Sequence, residues 1–329
     1  MSNREFQSVF KDEFRDLITV KRALGFRYET DEGSLLRIDS YFVNCGLAKK
    51  EISKELCEGW CRKRSYESPA NHYSRVSQMR VFCRYLNDVG IKAYVPPTNV
   101  TKKPPKYNAH IYTDDELRRF FAAVDRSQSV PSECPYRGLV MPLFFRILYT
   151  SGMRVSELRL VQIKDVDLEN GCIFVKGGKN SKDRFVPIHS KLAERCIELK
   201  EVMHKDSYDD EYFFMQYPGR AMTLGCVYKN FRRYLDKAGI PHMGRGVGPR
   251  IHDFRHTYCV NLLLKWSKEG KDLMAYLPYM RTMLGHEGFE ETAYYLKLTA
   301  DAYPVIREGL NKAFPSIIDE VLFHDCEYY

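Results

Sequence analysis

Six positions in the latter part of the 329-residue chain carry side chains suited to one charged phosphodiester: Arg154, Lys179, His252, Arg255, His286 and a tyrosine from the pair Tyr294 and Tyr295. His252 and Arg255 stand three apart, which on a helix puts both on one face. An imidazole beside an always-charged, fork-shaped guanidinium suits a non-bridging phosphate oxygen. Arg154 at a helix start, with Glu157 one turn on, and Lys179 on a hairpin loop add to the set. A tyrosine supplies an oxygen nucleophile, and its phosphotyrosyl ester would conserve the energy of the broken phosphodiester, so the transfer needs no ATP. No carboxylate cluster is placed to hold Mg²⁺ and no Walker loop is present, so neither metal nor cofactor is expected. Tyr294 and Tyr295 point about 100° apart on a helix, so only one can face the cations.

The elements that must position these groups read as two domains. Residues 1–95 look helical. Phe6, Phe10, Phe14, Leu17 and Ile18 fall at helical spacing up to Gly25, a second helix runs through residues 35–43, a third through 53–61 with Ser53 as cap, and a fourth through 73–89 up to Gly90. Four helices with short joins predict a small bundle. It holds a basic concentration, Arg62, Lys63, Arg64, Arg75, Arg80 and Arg84. These form either a solvated face or a track for the DNA backbone. Residues 96–110 are proline-rich and carry Lys102, Lys103 and Lys106 without an acid, an extended basic linker.

Residues 111–300 mix helices with a small sheet. Thr113 opens a capping box with Glu116, residues 136–149 form an apolar core helix, and residues 172–176 and 184–188 are strands joined by a loop that holds Lys179 and Lys182. Helices follow near 190–204 and 223–238. Residues 252–266 form the helix of His252 and Arg255, residues 273–284 another, and residues 291–298 a short one carrying both tyrosines. The tail, residues 301–329, includes an amphipathic segment.

Composition sets limits on function. Hydrophobic residues make up 44% of the chain, enough for a core in each domain, and no apolar run is long enough to span a membrane. The first ten residues lack the apolar stretch of a secretory signal, so a cytoplasmic protein is expected. The ten cysteines are scattered singly, which reads as thiols rather than disulfides or a zinc site. A net charge of +8 fits a polyanionic partner.

The motifs T-S-G-M-R-V-S-E-L (150–158), G-K-N-S-K-D-R-F-V-P (178–187), H-D-F-R-H-T (252–257) and L-G-H (284–286), with Tyr295 nine residues beyond His286, resemble the tyrosine recombinase/integrase family of phage integrases and Xer-type recombinases. The resemblance covers residues 110–300 and extends more loosely to the N-terminal helices. It implies a SAM-like core-binding bundle followed by a mixed α/β catalytic domain. The expected activity is site-specific recombination through a 3′-phosphotyrosyl intermediate, as the integrase or transposase of a mobile element. The alternatives are relaxation of DNA in the manner of a type IB topoisomerase, and a non-catalytic DNA-binding protein. Carried over residue by residue, Arg154 and Arg255 would clamp the scissile phosphate. Lys179, or alternatively Lys182, would protonate the leaving 5′-oxygen. His252 would assist proton transfer, His286 would hydrogen-bond the phosphate, and Glu157 would support, orienting His252. Spacing after L-G-H selects Tyr295 as nucleophile and leaves Tyr294 for the core. The implied partner is double-stranded DNA bearing specific sites, held by Arg62, Lys63, Arg64, Arg75, Arg80, Arg84 and the linker lysines. The implied assembly is a homotetramer on two sites, docked through the tail, and it allows an accessory protein.

Overall fold

The structure, a computed structural model, describes residues 5–26, 28–104, 107–130, 135–177, 183–217, 219–244, 247–286 and 288–302. Lys106, Lys179, Lys182 and the tail beyond residue 302 therefore lie outside the described residues. The chain divides into two compact units, Met1–Lys106 and Tyr107–Tyr329.

Among its described residues the first unit holds four α-helices, α1 (Lys11–Ala23), α2 (Glu29–Asn44), α3 (Lys54–Cys61) and α4 (Pro69–Asp88). Its core is aromatic, with Phe10, Phe14, Phe42 and Phe82 all fully buried and the Phe14 and Phe82 rings stacked at 4.0 Å. Serine caps start α3 and α4: Ser53 Oγ accepts the Leu56 N–H and Ser68 Oγ the Asn71 N–H, each at 3.2 Å. The start of the chain departs from the expectation of a helix through Phe6. Residues 5–10 are not helical, because buried Asp39 of α2 accepts the N–H groups of Gln7 and Ser8 at 2.8 and 2.9 Å. That carboxylate pins the segment so that Phe6 stacks on Phe14 at 4.9 Å.

Two of the basic residues expected along DNA are internal. Arg75 donates Nε and Nη2 to the Glu67 carboxylate at 2.8 Å each, Nη2 also to the Arg62 carbonyl at 3.0 Å, and Nη1 to the Trp60 carbonyl. Buried Arg80 donates to the carbonyls of Pro96 and Pro97, both at 2.9 Å. The turn after α3 and the start of the linker have carbonyls that need donors, and these two guanidinium groups serve them, unlike the exposed basic residues beside them. Arg62, Lys63, Arg64, Arg84, Lys102 and Lys103 are exposed.

The second unit runs α5 (Asp114–Asp125), α6 (Arg137–Ser151), α7 (Val155–Leu158), β1 (Val166–Asp167), β2 (Cys172–Val175), β3 (Arg184–Pro187), α8 (Ser190–Met203), β4 (Met215–Tyr217), β5 (Arg220–Ala221), α9 (Leu224–Lys237), α10 (Asp253–Lys268), α11 (Leu273–Leu284) and α12 (Phe289–Ala302). Strands β1, β2 and β3 form an antiparallel sheet in that order, with Val175 opposite Arg184 and Cys172 opposite Pro187. The β4–β5 hairpin and β1 are too short to show alternation in sequence. Phe120, Phe145, Phe231 and Phe254 centre the main core, while Cys259, Leu263, Leu277, Met280, Leu284 and Tyr295 join α10, α11 and α12 in a second cluster. Helix α10 lies between the two, sending Phe254 one way and Cys259 the other.

Candidate active site

Gly152 ends α6 in the left-handed region, at φ 64°. A side chain there would also meet Tyr258 and Leu284, at 2.8 and 3.0 Å from the Cβ position. The turn exposes the Gly152 carbonyl, which accepts Arg255 Nη1 at 2.7 Å. Arg154 follows as the N-cap of α7. Glu157 Oε2 accepts its backbone N–H and Oε1 its Nη1, both at 2.9 Å. Burial, then the charge of Arg255, lowers Arg154, and Glu157 opposes that shift. The two arginines are thus close enough to feel each other.

Arg255 is 2% exposed. Its Nη2 donates to the Leu284 carbonyl at 2.9 Å and to His286 Nε2 at 2.8 Å. A guanidinium has no lone pair to offer, so His286 Nε2 accepts. The other ring nitrogen, Nδ1, stands 3.0 Å from Thr292 Oγ1. Gly285, at φ 65°, closes α11 with paired bonds: Gly285 N–H to the Thr282 carbonyl and His286 N–H to the Arg281 carbonyl. That turn aims His286 at Arg255.

Tyr295 lies against this pair. Its ring stacks on His286 at 5.8 Å with 6° between planes, and stands 5.6 Å from the His256 ring. It is 3% exposed, and its hydroxyl lies within the electrostatic reach of Arg255 and the Cys259 thiol. Burial, then Cys259, pushes its pKa well above the ordinary phenol value, against the pull of Arg255. Burial likewise raises Cys259 to about 12, so both groups are neutral. His252 precedes α10. Burial, then the charges of His256, Arg255, Arg154 and Arg250, drops it to about 3.

The structure therefore gathers Arg154, Arg255, His286 and Tyr295, with His252 within electrostatic reach of both arginines. One expectation changes. Glu157 does not orient His252; Arg184 of β3 donates to it through Nη1 at 3.1 Å and Nη2 at 2.7 Å, alongside Arg154. The carboxylate sits between two guanidinium groups, and although burial raises it, Arg184 and Arg154 hold it at about 2. Tyr294 packs against the second cluster as expected, half-buried and 6.0 Å from His256, but it is Tyr295 that takes the fully buried place, because α12 turns Tyr295 toward α10 and α11.

Sequence reasoning missed Arg184, Cys259 and Thr292. Arg184 stands inside the quoted K-D-R-F-V-P motif, and Cys259 lies one turn beyond Arg255, so position alone could have flagged both. Asp253, the second residue of H-D-F-R, gains an account. Its Oδ2 accepts the Arg250 N–H at 2.7 Å and the Tyr107 hydroxyl at 2.8 Å. It thereby ties the end of the linker to the start of α10. Among the described residues no group of three or more histidines, cysteines or acids is placed to hold a metal ion, and no helix is long and apolar enough to cross a membrane.

Residues 111–301 match the phage integrase family, and the chain belongs to it. Among its relatives is a putative integrase/recombinase of Sinorhizobium fredii, y4rB, 25% identical over 88% of this chain and 93% of that protein. A second from the same organism, y4rE, is 30% identical over 71% of this chain and 75% of that protein. Tyrosine recombinase XerA of Thermococcus kodakarensis is 32% identical over 60% of this chain and 63% of that protein. In fold, the chain is similar to XerH site-specific recombinase bound to its difH substrate, with a TM-score of 0.58 at 23% identity, covering 87% of this chain and 81% of that one. It is equally similar to a lambda integrase dimer bound to a core site, with a TM-score of 0.58 at 16% identity, covering 86% and 94%.

Proposed function

We propose that this protein is a site-specific DNA recombinase that cuts and rejoins strands through a 3′-phosphotyrosyl intermediate, serving as the integrase or transposase of a mobile element. The observation that carries the reading is Tyr295 stacked on His286 beside Arg255, within a chain of the phage integrase family.

In this mechanism the Tyr295 hydroxyl attacks the scissile phosphorus, its proton leaves, and the bond to the 5′-oxygen breaks. Arg154 and Arg255 neutralise the charge that grows on the non-bridging oxygens. Lys179 gives the leaving oxygen its proton, with Lys182 as the alternative donor. His252, neutral in the folded chain, would assist proton transfer once the negative charge of a bound phosphate offsets the neighbouring arginines and raises it. Attack of a 5′-hydroxyl from a second duplex reverses each step and exchanges strands. The partner is double-stranded DNA bearing specific sites, and a tetramer on two such sites completes the exchange. Arg62, Lys63, Arg64, Arg84, Lys102 and Lys103, all exposed, are the residues offered to its backbone.

A nicked suicide substrate, which loses the strand that would reverse cleavage, tests the reading. The wild-type protein is expected to accumulate a covalent adduct, in EDTA as well as in Mg²⁺, and Tyr295→Phe to bind DNA without forming it. A normal adduct in Tyr295→Phe rules out this nucleophile, and an absolute metal requirement for cleavage rules out this chemistry.

A further inference from the structure

Building on that reading, we propose that Arg184 is a positioning residue for the reaction: by holding Glu157 it keeps the guanidinium of Arg154 available to the phosphate. The Arg184 side chain is 6% exposed and that of Glu157 7%. Oε1 of Glu157 takes Arg154 Nη1 at 2.9 Å and Arg184 Nη1 at 3.1 Å. Oε2 takes the Arg154 backbone N–H at 2.9 Å and Arg184 Nη2 at 2.7 Å. Arg184 therefore makes the two-pronged contact, and Arg154 gives the carboxylate a single side-chain nitrogen. Without Arg184 the carboxylate faces one guanidinium, and a bidentate pair with Arg154 becomes the best geometry on offer. That pairing would turn the Arg154 fork away from a phosphate and cancel its charge. With Arg184 present, the three side chains together keep one net positive charge.

The same guanidinium reaches the other half of the site. Its Nε donates to the Met283 carbonyl at 2.9 Å, beside the Leu284 carbonyl taken by Arg255. Its Nη1 lies 2.9 Å from where a Gly285 side chain would begin. One residue of β3 thus braces both the α7 start that carries Arg154 and the turn that carries His286.

The test measures single-turnover cleavage by the full chain on two suicide substrates. One has an ordinary scissile phosphodiester; the other has a methylphosphonate there, which lacks the charged non-bridging oxygen and needs less from a cationic clamp. Arg154→Ala is the benchmark, with its defect smaller on the methylphosphonate. Arg184→Ala is expected to follow it, losing roughly 10–100-fold on the phosphodiester while keeping DNA binding, and to recover most of that loss on the methylphosphonate. Arg184→Lys should fall between, since a point charge does not fork. A near wild-type rate for Arg184→Ala, or an equal loss on both substrates, overturns the proposal. Should Arg184→Ala fail to fold, Arg184→Lys carries the same comparison: relief on the methylphosphonate supports the proposal, and equal loss on both overturns it. Failure of the recombinase reading is seen separately, as absence of a Tyr295 adduct from the wild-type protein on either substrate.

Discussion

At His252 burial and charge act together and at Glu157 they oppose, yet both groups end below their ordinary values and both make the folded protein acid-sensitive. His252 is held at about 3, first by burial and then by its neighbours His256, Arg255, Arg154 and Arg250. An unfolded histidine titrates near about 6.5. Below that pH the unfolded chain takes up a proton that the folded chain refuses, so stability falls as pH drops from about 6.5 toward 3. The thermal midpoint is expected to decline between pH 7 and 5, and His252→Asn to flatten that decline; an unaltered slope in the variant contradicts the assignment. For Glu157, burial raises the carboxyl, but Arg184 and Arg154 hold it at about 2. Its contribution is present above the unfolded value of about 4.3 and is lost as pH falls toward 2, a lower window than that of His252. In the reaction itself, Arg154→Ala is expected to slow cleavage about 10²–10³-fold with DNA still bound. A loss of less than about fivefold would take Arg154 out of the clamp, since removing one such donor typically does far more.

The helices show what local sequence does and does not reveal. Thr113 and Glu116 announce α5, and both halves of their box form, at 2.9 and 3.2 Å. The bounds of α11 are equally readable, because Asp272 caps one end and Gly285 the other. What stays hidden depends on partners far along the chain. Phe6 keeps helical spacing, yet Asp39 holds its segment out of α1. Arg75 and Arg80 look like their exposed neighbours until Glu67 and the proline carbonyls are seen to occupy them. Arg184 reads as one more loop-flanking cation until Glu157 and the Met283 carbonyl meet it. The identities and order of the site residues were readable from motifs; the Arg184–Glu157 contact was not, since nothing local specifies it. The Arg75–Glu67 pair is nearly buried, with side chains 10% and 7% exposed. Glu67→Ala leaves a buried guanidinium short of its partner and is expected to destabilise the first unit by about 3 kcal/mol, read as a lower denaturant midpoint. A shift below about 0.5 kcal/mol, the scale of an ordinary surface change, would mean the pair is solvated in solution.

Across the whole chain, charge governs how the protein meets DNA. The net charge of +8 predicts binding that weakens steeply with salt. Neutralising Arg62 or Arg84, both exposed, should weaken binding alike across sequences and reduce the salt slope by about 1 each. Arg75→Gln and Arg80→Gln should leave that slope unchanged, because their guanidinium groups face inward. A reduced slope for either would mean that its guanidinium also reaches the DNA backbone. The dry seat of Tyr295 adds a consequence for the idle protein. Positive charge makes chance encounters with DNA frequent, and an exposed, ionised phenol would turn some of them into nicks. On the proposed reading, a ring shelved on His286 with its proton retained would be latent until a bound site uncovers it, and the fidelity of cutting would begin in the resting fold.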